Sequence, residues 1–450
     1  MNPLALLVAP PVYDFALYDL FLKPYALLRL GRWLADCGYT VKLVNGLDYL
    51  DPDSKASLGA PRREARGTGK FFRQPLAPPL ASFRELRRGF ARYGMLPASF
   101  EQRIRGERPD LVLLGSGMTY WYPGVVEAAR VVKACYPRVP LLVGGVYATL
   151  CPDHARTHVE ADFLVEGAAF PRLTEILTSL SLPSPSRPPR EEFLPLPEAR
   201  WDAGVLRLNR GCPFRCAYCA SHLLEGDFLA GEAESALSGL RELQELYGTR
   251  SFAFYDDALL VNKEKVFLPF LQAVLAAGIR ADFYLPNAMH LRFLDLRTAR
   301  LMKRAGFREI RLGFESAESE FHNTLDQKLD PRSLREGVEI LRTAGFSGRQ
   351  VTVYVLAGLP GQRREEVEDS IRFAAALGVK VSLAEYSPLP GSGLWEQSLR
   401  LSEFPLAEEP LTHNNSLLPL RWQGFTLQDL QELKALARRL SQPGAQSPSL

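Results

Sequence analysis

The chain has 450 residues, which is too many for one ordinary hydrophobic core and predicts two or three domains. Hydrophobic residues make up 46% and charged residues 23%, values that exclude a disordered or fibrous protein. The 54 basic and 51 acidic residues nearly balance, so the overall charge indicates neither a nucleic-acid nor a membrane partner.

The first ten residues are apolar but lack the basic start and the cleavage site of a signal peptide, so we expect a buried first strand there. No apolar stretch approaches the ~20 residues that a membrane-spanning helix needs. Six cysteines, three of them within eight residues, favour metal or cluster chemistry in a reducing compartment over a disulfide framework. We therefore expect a cytoplasmic protein.

Residues 1–180 alternate buried strands with amphipathic helices, which predicts a doubly wound parallel sheet of the Rossmann type. The predicted strands are residues 4–9, 41–44, 111–114, 141–143 and 163–165, and the clearest helices are residues 25–37 and 122–135. Residues 51–105 interrupt the pattern and are rich in Arg, Pro and Gly. The favoured interpretation is a solvated irregular excursion, and the alternative is a basic lid over an anionic ligand.

A proline-rich linker is expected over residues 181–200, and a second alternation of strands and helices follows over residues 201–400. Glycines just past the ends of four predicted helices suit left-handed helix ends: Gly278, Gly306, Gly345 and Gly378. Six consecutive β/α units predict a partial (β/α)6 barrel, with functional residues at the carboxyl ends of its strands. Residues 401–450 are expected to form a C-terminal extension whose last residues are frayed. The predicted barrel strands are residues 205–208, 251–255, 281–285, 309–314, 351–356 and 380–385.

The strongest motif is the loop that follows the first of these strands, where Cys212, Cys216 and Cys219 stand in C-x3-C-x2-C spacing. Three thiolates on one short loop suit three corners of an iron–sulfur cubane and leave one iron open to another ligand. Structural zinc is the alternative, but it needs a fourth ligand, and His222 is poorly placed to supply one.

This loop resembles the signature of the radical S-adenosylmethionine (SAM) superfamily, in which an aromatic residue precedes the last cysteine, as Tyr218 does here. The resemblance implies a [4Fe-4S] cluster whose open iron binds SAM. It also implies reductive cleavage of SAM to a 5′-deoxyadenosyl radical and an electron donor such as flavodoxin or ferredoxin. The substrate is not indicated, and no nucleic-acid signature is present.

Polar residues and a glycine turn at the expected strand ends agree with this family. Asp256 and Asp257 suit the SAM amine, Glu315 resembles the ribose-binding carboxylate, and Gly358 lies in a turn similar to the one near adenine. Other polar side chains near strand ends are candidates for the substrate: Asn287, His290 and Tyr386.

A doubly wound sheet before a radical SAM barrel resembles the branch of the superfamily that binds cobalamin. The resemblance implies that three turns of the sheet hold the corrin and its nucleotide tail, and that a methyl group can pass from methylcobalamin to the substrate radical. The residues matched to those turns are Ser116, Gly117, Thr119, Gly144, Gly145, Glu166 and Gly167. Ala16 stands where many cobalamin domains carry a cobalt-ligating His, a ligand that radical SAM members often lack.

Two other functions remain open at this point. A methylthiotransferase-like RNA-modifying enzyme would need three further cysteines for a second cluster, and Cys37, Cys135 and Cys151 match the number. We expect these three to be buried structural thiols instead. The other possibility is a non-catalytic sensor that binds SAM or a cluster, which a test for 5′-deoxyadenosine would distinguish from an enzyme.

Overall fold

The computed structural model describes residues 2–86, 88–184, 196–322, 325 and 331–442. Most of the predicted linker and the predicted frayed tail, residues 185–195 and 443–450, lie outside the described residues. Two parallel sheets organise the chain, one before the linker and one after it.

The N-terminal sheet has five parallel strands in the order β3-β1-β6-β7-β8. Side chains alternate between its faces: Leu6 and Val8 pack on one hydrophobic cluster, and Ala5 and Leu7 on another. Helices therefore cover both faces, as predicted for a doubly wound sheet. Its strands are β1 Leu4–Ala9, β3 Thr40–Asn45, β6 Leu111–Ser116, β7 Leu141–Gly145 and β8 Phe163–Val165. The accompanying helices are α1 Tyr25–Ala35, α2 Pro52–Leu58, α3 Pro97–Arg105, α4 Tyr122–Cys135, α5 Val146–Leu150, α6 Pro152–His158 and α7 Phe170–Ser179.

Residues 51–105 are more regular than the sequence suggests. They contain α2, α3 and two strands, β4 Arg73–Pro75 and β5 Ala91–Tyr93, which form an antiparallel sheet with β2 Val12–Asp14 in the order β2-β5-β4. Two arginines of this segment pair with acids elsewhere: Arg63 with Asp19 at 2.7 Å and Arg66 with Glu309 at 3.0 Å. The predicted solvated irregular excursion is therefore wrong for this part, because strands of three residues give too little periodicity to be recognised.

The second sheet is the predicted partial barrel, with six parallel strands in the order β16-β15-β14-β13-β12-β9. A two-stranded ribbon of β10 and β11 stands beside it. The strands are β9 Ala203–Leu206, β10 Asn209–Arg210, β11 Leu229–Ala230, β12 Ser251–Phe254, β13 Asp282–Tyr284, β14 Phe307–Glu315, β15 Val351–Ala357 and β16 Lys380–Glu385.

Helices cover the outside of this barrel, and the four glycines predicted past their ends all have positive φ, between 64° and 109°. Left-handed backbone at these positions ends each helix without steric cost. The helices are α8 Ser221–Glu225, α9 Ala233–Tyr247, α10 Phe267–Ala276, α11 Leu296–Ala305, α12 Ser319–Phe321, α13 Pro331–Thr343, α14 Arg364–Ala376, α15 Trp395–Leu401 and α16 Leu427–Leu440. In the part of the chain that is described, none of the helices has the length and hydropathy that crossing a membrane requires.

The loop between β2 and α1 joins the N-terminal sheet to the barrel. The Tyr255 hydroxyl, just past β12, donates to the carbonyl of Phe21 and accepts from the backbone N–H of Lys23 at 3.0 Å. Phe21 is fully buried, and its ring centroid lies 4.9 Å from that of Tyr284 on β13. One continuous hydrophobic cluster consequently includes residues of both sheets and fixes their relative position.

A substitution at Gly67 would test the packing between the N-terminal domain and the barrel, because the backbone of Gly67 lies against the first residue of β9. Gly67 has φ 84°, and a Cβ there would stand 2.6 Å from the Cβ of Ala203. Gly59 has a similar φ of 77° with nothing within 4 Å of the corresponding position. We expect Gly59→Ala to cost about 1 kcal/mol for the left-handed backbone alone. Gly67→Ala should lower the melting temperature further, because β9 must move. Equal melting temperatures for the two variants would contradict this packing.

Candidate functional site

The cysteine loop starts directly after β10, the first strand of the β10–β11 ribbon. Gly211 has φ 72°, and a Cβ there would stand 3.1 Å from the carbonyl oxygen of Asp227, so glycine is needed to begin the loop. Within the loop the backbone N–H of Cys219 donates to the carbonyl of Cys216 at 3.0 Å. The Cys219 sulfur also accepts a hydrogen bond from the N–H of Ser221 at 3.4 Å.

All three cysteines are free thiols; Cys216 is buried, and Cys212 and Cys219 are partly exposed. The pKa of Cys212 is raised to about 11, first by burial and also by the nearby charges of Asp257, Cys216 and Cys219. Three thiolates in one place therefore need a cationic partner. Among the described residues no three His, Cys, Asp or Glu side chains are arranged to hold a single metal ion. A cubane cluster binds each thiolate through a different iron, so its ligands do not have to converge on one point.

Aromatic and backbone contacts support this loop from the outside. Phe214 stacks on His290 with centroids 4.4 Å apart, and Tyr218 stacks on Phe321 at 6.3 Å. The N–H of Ala217 donates to the carbonyl of Leu325 at 2.7 Å. The loop is therefore held by the barrel before any cofactor binds.

Asp256 and Asp257 follow β12 but have different surroundings. The Asp256 carboxylate is buried and accepts from the backbone N–H groups of Leu208 and Asn209 and from the Asn209 side chain at 2.7–3.2 Å. Burial raises the pKa of Asp256 to about 7, and these hydrogen bonds oppose the rise. Its hydrogen bonds fix the chain between β9 and the cluster loop, so the structure does not favour Asp256 as a direct SAM contact.

Asp257 is partly exposed and close enough to Cys212 to affect its pKa. Burial raises the pKa of Asp257, and the charge of Arg207 opposes this rise. Arg207 is a buried arginine that also pairs with Glu225 at 3.1 Å. Of the two carboxylates, Asp257 is thus the one available to a ligand beside the cluster loop.

Glu315 ends β14 in a strained conformation. Its φ is 70°, the β14–β15 register shifts between Gly313 and Glu315, and its carboxylate folds back over Gly313. A Cβ on Gly313 would stand only 2.9 Å from Oε1 of Glu315. Strain of this kind is common at functional sites, where surrounding structure enforces it.

The turn after β15 has a determinant that the sequence analysis missed. Gly358 has φ 90°, and the Gln362 side chain accepts from its N–H at 2.8 Å and donates to the carbonyl of Leu356 at 3.1 Å. Gln362 is buried and fixes the turn. A polar residue four positions after a glycine is too common a pattern to be recognised from sequence.

The three substrate candidates do not form a group. Asn287 is exposed and donates to the carbonyl of Tyr255 at 3.3 Å. His290 is buried behind the cluster loop against Phe214, and Tyr386 is buried in a hydrophobic cluster with its hydroxyl 3.2 Å from Ser398. His290 and Tyr386 thus pack against neighbouring side chains in this structure, and their assignment to the substrate stays a prediction.

A cavity of about 410 Å3 lies at the carboxyl ends of the N-terminal strands. Five of the residues predicted for this edge line it: Ser116, Gly117, Gly144, Gly145 and Gly167. A side chain at Gly145, which has φ 106°, would collide with the carbonyl of Ser116, so the backbone itself forms the wall there. The opposite wall comes from the barrel, through Arg210, Leu224 and Glu225.

Two residues predicted for this cavity lie outside it. Thr119 is fully buried with its hydroxyl 3.0 Å from Nδ1 of His413, and Glu166 is exposed and pairs with Arg156. Thr149 lines the cavity instead and accepts from the N–H of Gly167 at 2.9 Å. A helical turn after β6 directs the Thr119 side chain inward, which strand periodicity does not predict.

The model of the Radical SAM superfamily matches residues 206–374, from β9 to α14. An uncharacterised methyltransferase of Pyrococcus horikoshii is 24% identical over 356 residues, covering 71% of this chain and 73% of the relative. The hopanoid C-3 methylase of Methylococcus capsulatus is 23% identical over 335 residues, covering 67% of this chain but only 63% of the relative.

Residues 206–374 form a radical SAM domain. This domain implies a [4Fe-4S] cluster and SAM as cofactors, and a reductant and a substrate as partners. The chain is thus an enzyme of the radical SAM type.

Solved structures show that the whole arrangement of sheet and barrel recurs in this superfamily. The radical SAM methyltransferase TsrM from Kitasatospora setae, with tryptophan and a SAM analogue bound, has a TM-score of 0.64 and 16% identity, covering 90% of this chain and 78% of TsrM. The cobalamin-dependent enzyme OxsB has a TM-score of 0.54 and 11% identity, covering 95% of this chain and 57% of OxsB. At these identities the likeness concerns the fold alone.

The three cysteines outside the cluster loop do not lie together in one site. Cys37 packs on one face of the N-terminal sheet, and Cys135 and Cys151 pack on the other. Burial raises the pKa of all three thiols, that of Cys151 to about 12. This arrangement favours structural thiols over the second cluster of a methylthiotransferase.

The strain at Glu315 gives a prediction about stability in this radical SAM enzyme. Glu315→Ala and Glu315→Gly both remove the carboxylate, but glycine accepts positive φ freely. We expect the glycine variant to be more stable than the alanine variant by about 1 kcal/mol in chemical unfolding. The neighbouring Ser316 lies outside the left-handed region and serves as the control, where glycine should be the less stable variant. An alanine variant of Glu315 at least as stable as the glycine variant would contradict the strained backbone.

Proposed function

We propose that this protein is a cobalamin-dependent radical SAM methyltransferase acting on a substrate that its site does not identify. The observation that carries the proposal is the position of the cavity. Its barrel-side wall consists of Arg210, Leu224 and Glu225, which stand on either side of the cysteine loop of residues 212–219. A ligand in the cavity therefore lies next to the cluster loop.

Cys212, Cys216 and Cys219 are the proposed cluster ligands. Burial and the nearby negative charges of Asp257, Cys216 and Cys219 raise the pKa of Cys212, so a cationic iron–sulfur core suits these thiolates. When bound, the reduced cluster and SAM supply a 5′-deoxyadenosyl radical. The chain's part is to hold the loop through Asp256 and Phe214 and to leave one coordination position open, since only three thiols are offered.

SAM is proposed to lie along the carboxyl ends of the barrel strands. Asp257 stands beside Cys212 and suits the SAM amine, and Glu315 suits the ribose hydroxyls because its carboxylate is held over Gly313. The Gly358 turn, which Gln362 fixes, is proposed to lie beside the adenine. A small one-electron donor such as flavodoxin or ferredoxin is the proposed reductant.

Cobalamin is the proposed ligand of the 410 Å3 cavity. The glycine-lined wall at Gly144 and Gly145 lets a large flat ligand approach the backbone, as ligands do beyond strand ends in doubly wound sheets. Ala16 offers no imidazole to a metal, and Ala16 is not among the residues lining the cavity. When bound, cobalamin supplies the methyl group that the substrate radical receives. The names of the relatives, two of them methyltransferases or methylases, support methyl transfer.

The cluster assignment predicts the behaviour of Cys216→Ala. After anaerobic reconstitution, this variant should hold little iron and form no 5′-deoxyadenosine from SAM, because one cluster ligand is lost. Cys135→Ala, which changes a cysteine at the end of α4, is the matched control and should keep both. Formation of 5′-deoxyadenosine by Cys216→Ala at the wild-type rate would overturn the assignment. An intact wild-type cluster that never cleaves SAM would favour a sensor instead.

The cavity assignment predicts which residues control cobalamin retention. Ala168 lines the cavity, so Ala168→Trp should fill it and abolish the cobalamin absorption that wild-type protein keeps after desalting. Glu166→Ala should retain cobalamin fully, because Glu166 points to Arg156 outside the cavity. Iron content should be unchanged in both variants. Retention by Ala168→Trp, or loss in Glu166→Ala alone, would place the ligand elsewhere.

A further inference from the structure

Four charged residues line the cavity, and three of them have partners within the chain. Lys23 donates to the carbonyls of Ala199 and Arg200, Arg29 lies over the ring of Phe170 at 4.6 Å, and Glu225 pairs with Arg207 at 3.1 Å. The fourth is Arg210, whose side chain makes no hydrogen bond or ion pair with the described residues. Its Nε is buried and lacks an acceptor.

The backbone of Arg210 is fixed from both sides. Arg210 pairs with Leu229 in the β10–β11 ribbon, and the preceding Asn209 is held by the Asp256 carboxylate through its N–H at 2.7 Å and its side chain at 3.2 Å. Successive side chains of a strand point to opposite faces. Because Asn209 faces the barrel, Arg210 faces the N-terminal sheet, and the cavity lining confirms this.

A guanidinium with a buried, unsatisfied N–H is suited to an oxygen acceptor supplied by a ligand. Burying an N–H group costs free energy unless the group donates a hydrogen bond to an acceptor. Arginine presents several such donors in one plane. The side chain is therefore poised for an acceptor group that enters the cavity. Gly211 alone separates Arg210 from Cys212, so this acceptor stands at the side of the ligand nearest the cluster loop.

We propose that Arg210 binds a carboxamide oxygen on the rim of the corrin ring and so orients the ring toward the cluster loop. This inference rests on the proposed cobalamin function. A corrin carries amide side chains around its rim, which match a donor on the wall of a flat cavity. Arg210 is a positioning residue in this scheme, since it contacts the rim and not the reacting atoms.

The test compares binding of two corrinoids to the reconstituted full-length protein. Hydroxocobalamin has rim amides and a nucleotide tail, whereas cobinamide has the rim amides alone. Arg210→Met should weaken binding of both by the same factor, on the order of tenfold, which corresponds to one charge-assisted hydrogen bond. Arg210→Lys, which keeps a single donor group, should lose less. Affinity for SAM and iron per chain should match the wild type.

Arg172→Met is the control, because Arg172 is an exposed arginine of α7 between the cavity-lining residues Phe170 and Leu173. It should bind both corrinoids as the wild type does. Equal corrinoid affinity for Arg210→Met and wild type would overturn the inference while the proposed function stands. Weaker SAM binding with unchanged corrinoid binding would assign Arg210 to the SAM carboxylate and also overturn it. If Arg210→Met loses its cluster, the corrinoid affinity of Arg210→Lys is compared with that of the wild type instead. Equal affinity would again overturn the inference. Wild-type protein that binds neither corrinoid would overturn the proposed function itself.

Discussion

The buried ammonium of Lys23 is the interaction on which the arrangement of sheet and barrel depends. A six-stranded barrel is open between its edge strands, and the loop of Lys23 lies along the β9 side of that opening. Its Nζ donates to the carbonyls of Ala199 and Arg200 and pairs with Asp202 at 3.3 Å. A buried ammonium is tolerated only when it is fully hydrogen-bonded, so Lys23 holds the segment before β9 in one place. Burial lowers the pKa of Lys23, and Asp202 and Asp19 oppose this effect.

Because β9 is fixed in this way, the cavity of the N-terminal sheet and the cysteine loop are positioned by the same segment of the chain. β9 leads into β10, whose Arg210 lines the cavity, and β10 leads through Gly211 into Cys212. Asp256 fixes the same ribbon from the barrel side through the N–H of Asn209. A displacement of β9 would therefore move the cavity wall and the cysteine loop together. Rigid support of this kind is what positions reactive groups well enough for radical chemistry to be directed.

Sequence reasoning predicted most of the fold because apolar runs in both sheets alternate with amphipathic helices and glycines mark four of the helix ends. It also predicted the cysteine loop, whose spacing is itself the signal. It failed where tertiary contacts decide the role of a residue. Asp256 and Thr119 both follow strands, as ligand-binding residues do, but Asp256 holds the ribbon backbone and Thr119 faces His413. Gln362 and Arg210 were missed because their importance lies in a turn and a cavity that only the folded chain creates.

Part of the backbone strain of the described chain lies at these same junctions. Four of the non-glycine residues with positive φ are Phe21, Arg200, Glu315 and Leu418. Phe21 precedes Lys23 and packs on Tyr284, and the carbonyl of Arg200 accepts from Lys23. Leu418 packs against Gly358, and Glu315 ends its strand beside the proposed SAM position. Left-handed backbone at such residues costs roughly 1–2 kcal/mol each, so the surrounding packing must enforce it. Ser181 and Asn262, the other two such residues of the described chain, are exposed. The four buried or junction positions therefore indicate that the geometry between sheet, barrel and proposed cofactor positions is what the fold maintains.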